Sequence, residues 1–348
     1  MTQALPHLIG FVLPPMIVAA VWLGGAWTFL PLAVVYGVLP LADRSSNPRN
    51  PAPGSERDLS ENPWFRAITW VWVPIQAALL IWALATASAD RLTALELAGL
   101  TLSLGVTTGG IGITFAHELI HRPGRVERAL GEALLGTVCY MHFAIEHVYG
   151  HHRHVGTPRD PATARLGEAS YQFLPRSVFG GLHSAWRIER ARLQKAGRSV
   201  WSVRNRMLGY AAIQLLLTGV IAASAGPIGL AVFLGQAVVA VSLLELINYI
   251  EHYGLERREI APGRYERVQA WHSWNSSHRV SNWVLINLAR HADHHLTASK
   301  RYQVLHTLDE APQLPAGYSA MLVLALLPPL WRMVMDPRVQ AWRQARME

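Results

Sequence analysis

Nine histidines, gathered into four clusters, are the side chains of this 348-residue chain best suited to chemistry. They are His117 and His121 in HELIH, His147, His151 and His152 in EHVYGHH, His252 in NYIEHYGL, and His291, His294 and His295 in RHADHH. Neutral imidazole is a common ligand for transition metals, because it offers a nitrogen lone pair without carrying a charge. Nine imidazoles exceed the needs of one ion, so the sequence predicts a site for two metal ions.

The first cluster, HELIH, has the spacing of a helical metal-binding pair. His117 and His121 are four residues apart, which places both rings on one face of a helix. The same letters fit the HExxH motif of zinc proteases, in which Glu118 is the general base. A protease of that kind needs one further ligand, whereas this chain offers seven more histidines. The other clusters therefore argue against a protease.

The two remaining multi-histidine clusters also have helical spacings. His147 and His151 repeat the four-residue spacing and are expected to share a face. His152 lies about 140° further round a helix than His147, so it is predicted to point away from that pair and towards the second ion. In RHADHH the spacings of three and four residues let all three histidines share one helical face.

The ligand type narrows the choice of metal. An all-imidazole environment suits zinc, copper, iron or nickel. Zinc prefers four ligands and has no redox chemistry, so nine histidines fit it poorly. Iron accepts five or six ligands and activates O2, which makes two iron ions the predicted cofactors.

Carboxylates next to the clusters have two possible roles. They could complete or bridge the metal coordination, or they could accept a hydrogen bond from the outer nitrogen of a ligand imidazole, and we favour the second role. The candidates are Glu118, Glu146, Asp160, Glu251 and Asp293.

The histidine clusters lie next to apolar runs that are long enough to cross a membrane. Hydrophobic residues make up 51% of the chain and charged residues 16%, which is too apolar for an ordinary soluble protein. A membrane-spanning helix needs about 20 apolar residues. Six spans are predicted, near residues 5–23, 26–41, 67–86, 92–115, 207–224 and 226–249.

The positive charges predict how these spans are oriented. Thirty of the 31 Lys and Arg residues fall on one side of a six-span arrangement, and only Arg91 falls on the other. By the positive-inside rule, the basic side is cytoplasmic, as in a bacterial inner membrane. The net charge of +8 is explained by this topology and by contact with anionic lipid headgroups, so no nucleic-acid partner is expected.

We therefore expect an all-α integral membrane protein with one domain over residues 1–348. Small turns at Gly24–Gly25 and at residues 224–227 join spans into antiparallel hairpins. Segments 117–206 and 251–348 are predicted to form a cytoplasmic helical cap that holds the histidine-rich site.

Two segments outside the six spans have weaker patterns. The stretch Arg44–Glu61 is rich in Pro, Asn and Ser, which predicts a cytoplasmic loop. The apolar run Ala316–Met335 contains two prolines and an arginine, so it is interpreted as peripheral or as docked on the globular part.

Taken together, the histidine motifs resemble those of the integral-membrane alkane hydroxylases, which are related to the membrane fatty-acid desaturases and xylene monooxygenases. The resemblance covers roughly residues 92–306 and is specific only when the motifs are combined. It rests on HELIHR, EHVYGHHRHVGTPRDPATAR, NYIEHYGL, WNSSHRVSN and RHADHHLTASKRYQVL.

The resemblance implies a non-haem di-iron enzyme that uses O2 and two electrons to hydroxylate the terminal methyl group of an n-alkane. It implies that all nine histidines are iron ligands, and it adds His278 of WNSSHRVSN as a structural or ligand-orienting residue. Family members receive their electrons from rubredoxin and its reductase. Because Cys139 is the only cysteine, this chain has no rubredoxin-type site of its own, and an external rubredoxin is the expected partner.

Two other functions remain open at this stage. A xylene-type methyl hydroxylase or a fatty-acid desaturase would share the HxxxH and HxxHH spacings, although NYIEHYGL and RHADHHLTASKRYQVL favour alkanes. A histidine-rich metal transporter is the alternative from another class. Its ligands would lie within the spans near the middle of the bilayer, whereas these clusters flank the ends of the spans.

Overall fold

The structure, a computed structural model, describes residues 2–44 and 50–346 and is mainly helical, which confirms the predicted all-α class. Its α-helices are Leu13–Leu23, Leu30–Ala33, Leu39–Asp43, Glu56–Glu61, Pro63–Ser88, Ala94–Thr107, Thr114–Ile120, Arg125–Gly136, Phe143–Glu146, His152–His154, Ser170–Lys195, Arg206–His252, Arg279–Val284, His291–Leu296, Tyr318–Ala325 and Pro328–Gln344. Shorter 3-10 helices are Leu5–Val12, Gly25–Phe29, Ala270–His272 and Tyr302–Val304, and π-helical turns are Val34–Val38, Thr108–Ile113 and His147–His151. The strands Glu259–Ala261 and Arg264–Tyr265 form an antiparallel hairpin.

Two predicted segments extend beyond the described residues. Residues 45–49 of the predicted Arg44–Glu61 loop lie outside them, and the described end of that loop is the helix Glu56–Glu61. Residues 347–348 of the predicted cap also lie outside them.

Among the described residues, five helices are long and apolar enough to span a membrane, or six if a bent C-terminal pair forms one span. They are Leu5–Leu23, Gly25–Asp43, Glu56–Ser88, Ala94–Ile120 and Arg206–His252. This count is consistent with the six predicted spans, because the bounds of the first four helices overlap the first four predicted runs and the fifth helix covers the last two.

The fifth of these helices contains both of the last two predicted spans. Helical geometry breaks at Gly226, whose φ of 64° is easily reached only by glycine. The two arms then fold back on one another, because both contact the segment 137–141. Gln214 accepts a hydrogen bond from the Met141 amide at 2.9 Å, and Gln236 donates to the Thr137 carbonyl at 2.8 Å.

The turn between the first two spans is fixed by the start of the fourth. Gly24 and Gly25 both have positive φ, which the predicted glycine turn requires. Glu96 accepts from the Gly25 amide at 2.7 Å and also completes a capping box with Thr93, which begins the helix at Ala94. One carboxylate therefore joins two turns at the same end of the bundle, the end opposite the histidines.

The C-terminal segment docks on the body of the protein rather than remaining peripheral. Helices Tyr318–Ala325 and Pro328–Gln344 are bent by 119° relative to one another. Trp331 and Met335 are fully buried, in a cluster that includes Tyr249 of the Arg206–His252 helix. This segment closes one side of the site described below.

The fourth and fifth spanning helices pack closely at a π-helical turn. The turn Thr108–Ile113 interrupts the helix Ala94–Ile120, and turns of this kind often occur near functional sites. A Cβ atom on Gly109 would lie 2.7 Å from the Cα atom of Ala240, so only glycine fits there.

We expect Gly109→Ala to destabilise the protein, because the added methyl group would push the two spans apart. Overpacking of this kind usually costs about 1–3 kcal/mol. Gly110, the next residue in the same turn, has open space at its Cβ position, so Gly110→Ala is the matched control. Thermal unfolding in detergent should show a lower midpoint for Gly109→Ala alone. Equal midpoints for the two variants would contradict the close packing at this turn.

Candidate metal centre

The nine predicted histidines converge into two adjoining groups whose ligand atoms lie within 4.8 Å of one another in each group. The first group is His117, His121, His147, His152 and His294, and the second is His151, His252, His291 and His295. The groups meet where the rings of His152 and His295 lie 4.5 Å apart between centroids. The folded chain therefore gathers all nine predicted histidines in one place.

The spacing of the ring nitrogens fits ligands around a common ion. In the first group, the Nε2 atom of His152 lies 3.1 Å from that of His147 and 3.0 Å from that of His294. In the second, the Nε2 atom of His291 lies 3.1 Å from that of His252 and 2.8 Å from that of His295. Two nitrogens bound at right angles with bonds of about 2.1 Å are separated by about 3.0 Å. The observed separations match that value.

Several ring nitrogens in these groups are buried without any hydrogen-bond partner among the described residues. They are His117 Nδ1, His121 Nε2, His147 Nδ1, His151 Nε2, His294 Nδ1 and His295 Nδ1. A buried polar atom left unsatisfied costs about 1–3 kcal/mol, so a cluster of them requires a compensating interaction. His151 Nε2 faces into its group, because Nδ1 of the same ring contacts Asp160, and a bound cation would satisfy it. The Nδ1 atoms of His147, His294 and His295 point outward, because Nε2 of each of these rings faces the other ligands.

Burial keeps the imidazoles in the form that binds metals. Loss of hydration lowers the pKa of six of these rings well below the usual range, and the neighbouring histidines lower it further. The six are His121, His147, His152, His291, His294 and His295. Neutral rings offer the lone pair that a cation needs.

The structure corrects the predicted pairing within EHVYGHH. A regular helix would group His147 with His151 and turn His152 away. The segment His147–His151 instead forms a π-helical turn, in which residues five apart come into register. His152 therefore joins His147 in the first group, and His151 lies in the second. Gly150 permits this turn, since a Cβ atom there would lie 2.5 Å from Glu146 Oε1.

The three histidines of RHADHH do not all serve one group, although they were expected to share a face. The helix His291–Leu296 directs His294 to the first group, and His291 and His295 to the second. This short helix therefore lies across the boundary between the groups and contributes to both.

Asp160 behaves as the predicted ligand-orienting carboxylate. Its Oδ2 atom lies 2.9 Å from His151 Nδ1, and Thr163 donates to the same oxygen at 2.6 Å. Since a carboxylate only accepts, His151 donates through Nδ1, and its Nε2 lone pair is left for the second group. Burial alone would lower the pKa of His151, but Asp160 raises it above the ordinary value.

Glu251 has a different geometry, on the inner side of the rings. Its Oε2 atom lies 3.1 Å from His291 Nε2, the same nitrogen that faces His252 and His295. Tyr318 donates to the other oxygen of Glu251 at 2.6 Å and so fixes the carboxylate. This position favours the alternative role, in which a carboxylate completes the coordination, over the orienting role that we preferred for it.

Two other candidate carboxylates hold a neighbouring loop in place instead of orienting a histidine ring. Glu118 pairs with Arg122 at 3.4 Å, and Arg122 donates to the carbonyl groups of Ser299 and Lys300. Asp293 pairs with the Lys300 ammonium group at 2.7 Å. Both carboxylates therefore join a histidine-bearing helix to the loop that follows His295.

The last two candidates, Glu146 and His278, have different surroundings. Glu146 is buried beside the π-helical turn, and burial raises its pKa to about 8. His278 belongs to neither group and contacts the hydroxyl group of Ser276 through Nδ1 at 3.0 Å.

A narrow apolar cavity ends at both groups. Its walls include His117 and His147 from the first group and His291 from the second, together with Glu251 and Tyr318. The remaining lining is mainly aliphatic and includes Ile113, Leu244, Ile247, Leu285 and Leu288. The free volume of about 50 Å³ exceeds the roughly 10–15 Å³ that one water molecule needs, so the cavity has room for a small group next to the histidines.

Sequence reasoning did not identify Tyr318 or Thr163 as site residues. Tyr318 lies 67 residues from Glu251 in the chain, and no local pattern connects the two. Thr163 follows Asp160 by three residues in PRDPAT, so a turn with a side-chain hydrogen bond could have been suspected there.

Comparisons with known proteins agree with this geometry. The family model described as fatty acid desaturase matches residues 93–325. Alkane 1-monooxygenase 1 of Pseudomonas aeruginosa is 44% identical over 320 residues, which cover 91% of this chain and 84% of that protein. Alkane 1-monooxygenase of Pseudomonas putida is 40% identical over 335 residues, or 94% and 83% of the two chains. The xylene/toluene monooxygenase hydroxylase component of Pseudomonas putida is 29% identical over 329 residues, or 93% and 84%.

The long apolar helices and the histidine groups define an integral membrane, metal-binding protein of the fatty acid desaturase class, whose family model matches more than half of the chain. Within that class, the chain belongs to the alkane 1-monooxygenase family, as identities of 40–44% over most of its length establish. The predicted family and the predicted enzyme class are both confirmed.

We expect Asp160→Asn to weaken iron binding by about 10–100-fold, the usual effect of losing a carboxylate that orients a ligand histidine. Asparagine keeps the size of the side chain but removes the negative charge that stabilises the hydrogen bond from His151 Nδ1. Asp309→Asn, on an exposed loop, is the control for loss of a negative charge. Anaerobic titration of the metal-free protein with Fe(II) against a competing chelator measures the affinity. An unchanged affinity in Asp160→Asn would contradict the orienting role.

Proposed function

We propose that this protein hydroxylates the terminal methyl group of n-alkanes to give 1-alkanols, using O2 at a non-haem site of two iron ions. One observation carries the proposal: an apolar cavity ends where histidines of both groups meet. The relatives named alkane 1-monooxygenase support the choice of substrate. All nine histidines are proposed as iron ligands, with Glu251 as an additional carboxylate ligand of the second group.

The overall reaction balances when two electrons and two protons are supplied from outside. One oxygen atom of O2 enters the new C–O–H group, and the other leaves as water. Iron supplies the activation of O2, which no protein side chain can provide against an unactivated C–H bond.

The side chains of the cavity position the substrate. An alkane has no polar group, so a narrow aliphatic passage is the available means of presenting its end to the metal. Ile113 and Leu244 lie on two different spanning helices and both line that passage. His117 and His147 line the same passage, so a methyl group that reaches them would be next to the first group.

Electrons would come from an external rubredoxin and its reductase, on the cytoplasmic side of a bacterial inner membrane. Thirty of the 31 basic residues belong to the side of the chain that carries the histidines, which supports this orientation by the positive-inside rule. Segments 117–206 and 251–348, within the single domain 1–348, would form the cap that a small acidic electron carrier approaches.

The alternative functions are less well supported. The xylene/toluene relative is 29% identical, against 40–44% for the alkane 1-monooxygenases cited here. For a metal transporter, ligands would lie near the middle of the spans. His121 and His252 instead lie at the C-terminal ends of spanning helices, so the transporter interpretation is disfavoured.

We expect His152→Ala and His252→Ala, one from each group, to lower bound iron from about two ions per chain to about one. Both variants should also lose conversion of octane to 1-octanol in the presence of rubredoxin and its reductase. His154→Ala is the control, because His154 lies two residues from His152 but in neither group. Metal analysis and product identification by gas chromatography provide the two measurements. Retained 1-octanol formation in either ligand variant would contradict the proposed site.

We expect Ile247→Phe to shift preference towards shorter alkanes, because the larger ring shortens the cavity that Ile247 lines. The ratio of turnover between long and short alkanes should fall by about tenfold or more, the usual consequence of removing room for one or two methylene groups. Val238→Phe, on the same helix with a side chain that is 66% exposed, is the matched control. An unchanged ratio in Ile247→Phe would contradict the assignment of this cavity to the substrate.

A further inference from the structure

An exposed apolar stripe runs along the helix Ser170–Lys195, outside the candidate spans. Phe179 is 70% exposed and Leu182 is 45% exposed, and the half-buried Trp186, which also packs against the core, continues the stripe at the next turn. Separations of three, four and seven residues place the three side chains on one face. The opposite face of this helix is buried against the protein, through residues such as Phe173 and Ser177. The exposed apolar stripe is therefore additional to the packing face.

The loop after this helix extends the stripe with two further apolar side chains. Trp201 is 72% exposed, and its ring lies 6.1 Å from that of Trp186 between centroids. Val203, three residues before the start of the spanning helix at Arg206, is 99% exposed. We call Phe179, Leu182, Trp186, Trp201 and Val203 the juxtamembrane patch. A contiguous apolar surface of this kind marks a contact with a membrane or with another molecule.

Basic side chains follow the patch along the end of the helix and in the loop that carries Trp201 and Val203. Arg190, Lys195, Arg198 and Arg204 are exposed, and none of them has an ion-pair partner among the described residues. The nearby carboxylate of Glu189 is buried and is already paired with Arg192 at 2.6 Å and with Arg206 at 2.9 Å. This end of the patch therefore carries positive charge that the protein itself does not neutralise.

The position of the patch favours a lipid surface as its occupant. The chain passes directly from Val203 into a spanning helix, whose Leu215 and Leu216 are at least 70% exposed on an apolar surface. Aromatic and aliphatic side chains next to a span, followed by unpaired Lys and Arg, are typical of a helix lying in the headgroup layer. A soluble acidic protein would match the basic end but would not account for the long apolar stripe.

We propose that the juxtamembrane patch lies in the headgroup layer and that its basic end binds anionic phospholipid. The helix Ser170–Lys195 is then held between the bilayer and the body of the protein. Its buried face lies against the site region, since a Cβ atom added to Gly181 would lie 3.9 Å from Cγ of Glu146, next to the π-helical turn. Anionic lipid would thus stabilise the position of a helix that supports the metal groups.

The proposal can be tested on the full-length protein in nanodiscs made of phosphatidylcholine and phosphatidylglycerol. In a Cys139→Ser background, a fluorophore is attached at Val203→Cys or, as the control, at Ala191→Cys. Ala191 is exposed on the same helix but on the side away from the patch. We expect iodide in the buffer to quench the label at 191 strongly and the label at 203 weakly. Brominated lipids should show the reverse order.

The lipid charge is tested with brominated phosphatidylglycerol and brominated phosphatidylcholine in the same mixed nanodisc. The label at 203 should be quenched preferentially by phosphatidylglycerol. Each Lys or Arg near an anionic surface contributes up to about a fivefold preference. Combining Lys195→Gln, Arg198→Gln and Arg204→Gln should therefore reduce the preference by about tenfold or more, while quenching by phosphatidylcholine remains.

Two results would overturn the proposal. Iodide quenching as strong at 203 as at 191 would place the patch in water and leave it as a surface for a soluble partner. Equal quenching by the two brominated lipids would exclude selective binding of anionic headgroups. Neither measurement depends on bound iron or on hydroxylation, so the result stands apart from the proposed reaction.

Discussion

The structure depends on one constraint, which is that nine imidazole rings converge in a buried space. Lone pairs that face each other at about 3 Å gain little from one another, and each unsatisfied buried nitrogen costs about 1–3 kcal/mol. A cation reverses the balance, because it converts facing lone pairs into ligand bonds. Metal binding and the stability of the folded centre are therefore coupled, and the metal-free centre is the less stable state.

The spanning helices and the loops between them meet this constraint together. His121 and His252 lie at the ends of two spans, where the backbone leaves the helix and side chains from other segments can approach. The short helix His291–Leu296 contributes to both groups, so its position is decisive. Arg122 fixes the loop that follows this helix, because it donates to two backbone carbonyl groups of the loop. In the segment that precedes the helix, the Trp274 amide donates to the carbonyl of Glu251 at 2.8 Å. Long-range hydrogen bonds thus define a site whose ligands are widely separated in the chain.

Much of this arrangement is predictable from local patterns, and the exceptions have identifiable physical causes. Apolar runs predict the spans, and Gly226 predicts the break between the last two, because each depends on residues close in the chain. The pairing of His147 with His152 is not predictable from a period of 3.6 residues, since a π-helical turn changes the register. The contact between Tyr318 and Glu251 cannot be predicted from local patterns either, because it depends on how the C-terminal segment packs against the rest of the protein.

The two histidine groups are chemically different, and this asymmetry follows from their residues alone. The first group contains five histidines. The second contains four, one of which is backed by the carboxylate of Asp160, while Glu251 approaches His291 from the inner side. Two carboxylates near the second group make it the more negative environment, so a cation bound there would be stabilised more strongly by charge than one bound in the first group. Because the apolar cavity reaches histidines of both groups, a substrate methyl group would lie beside two groups that differ in their surrounding negative charge.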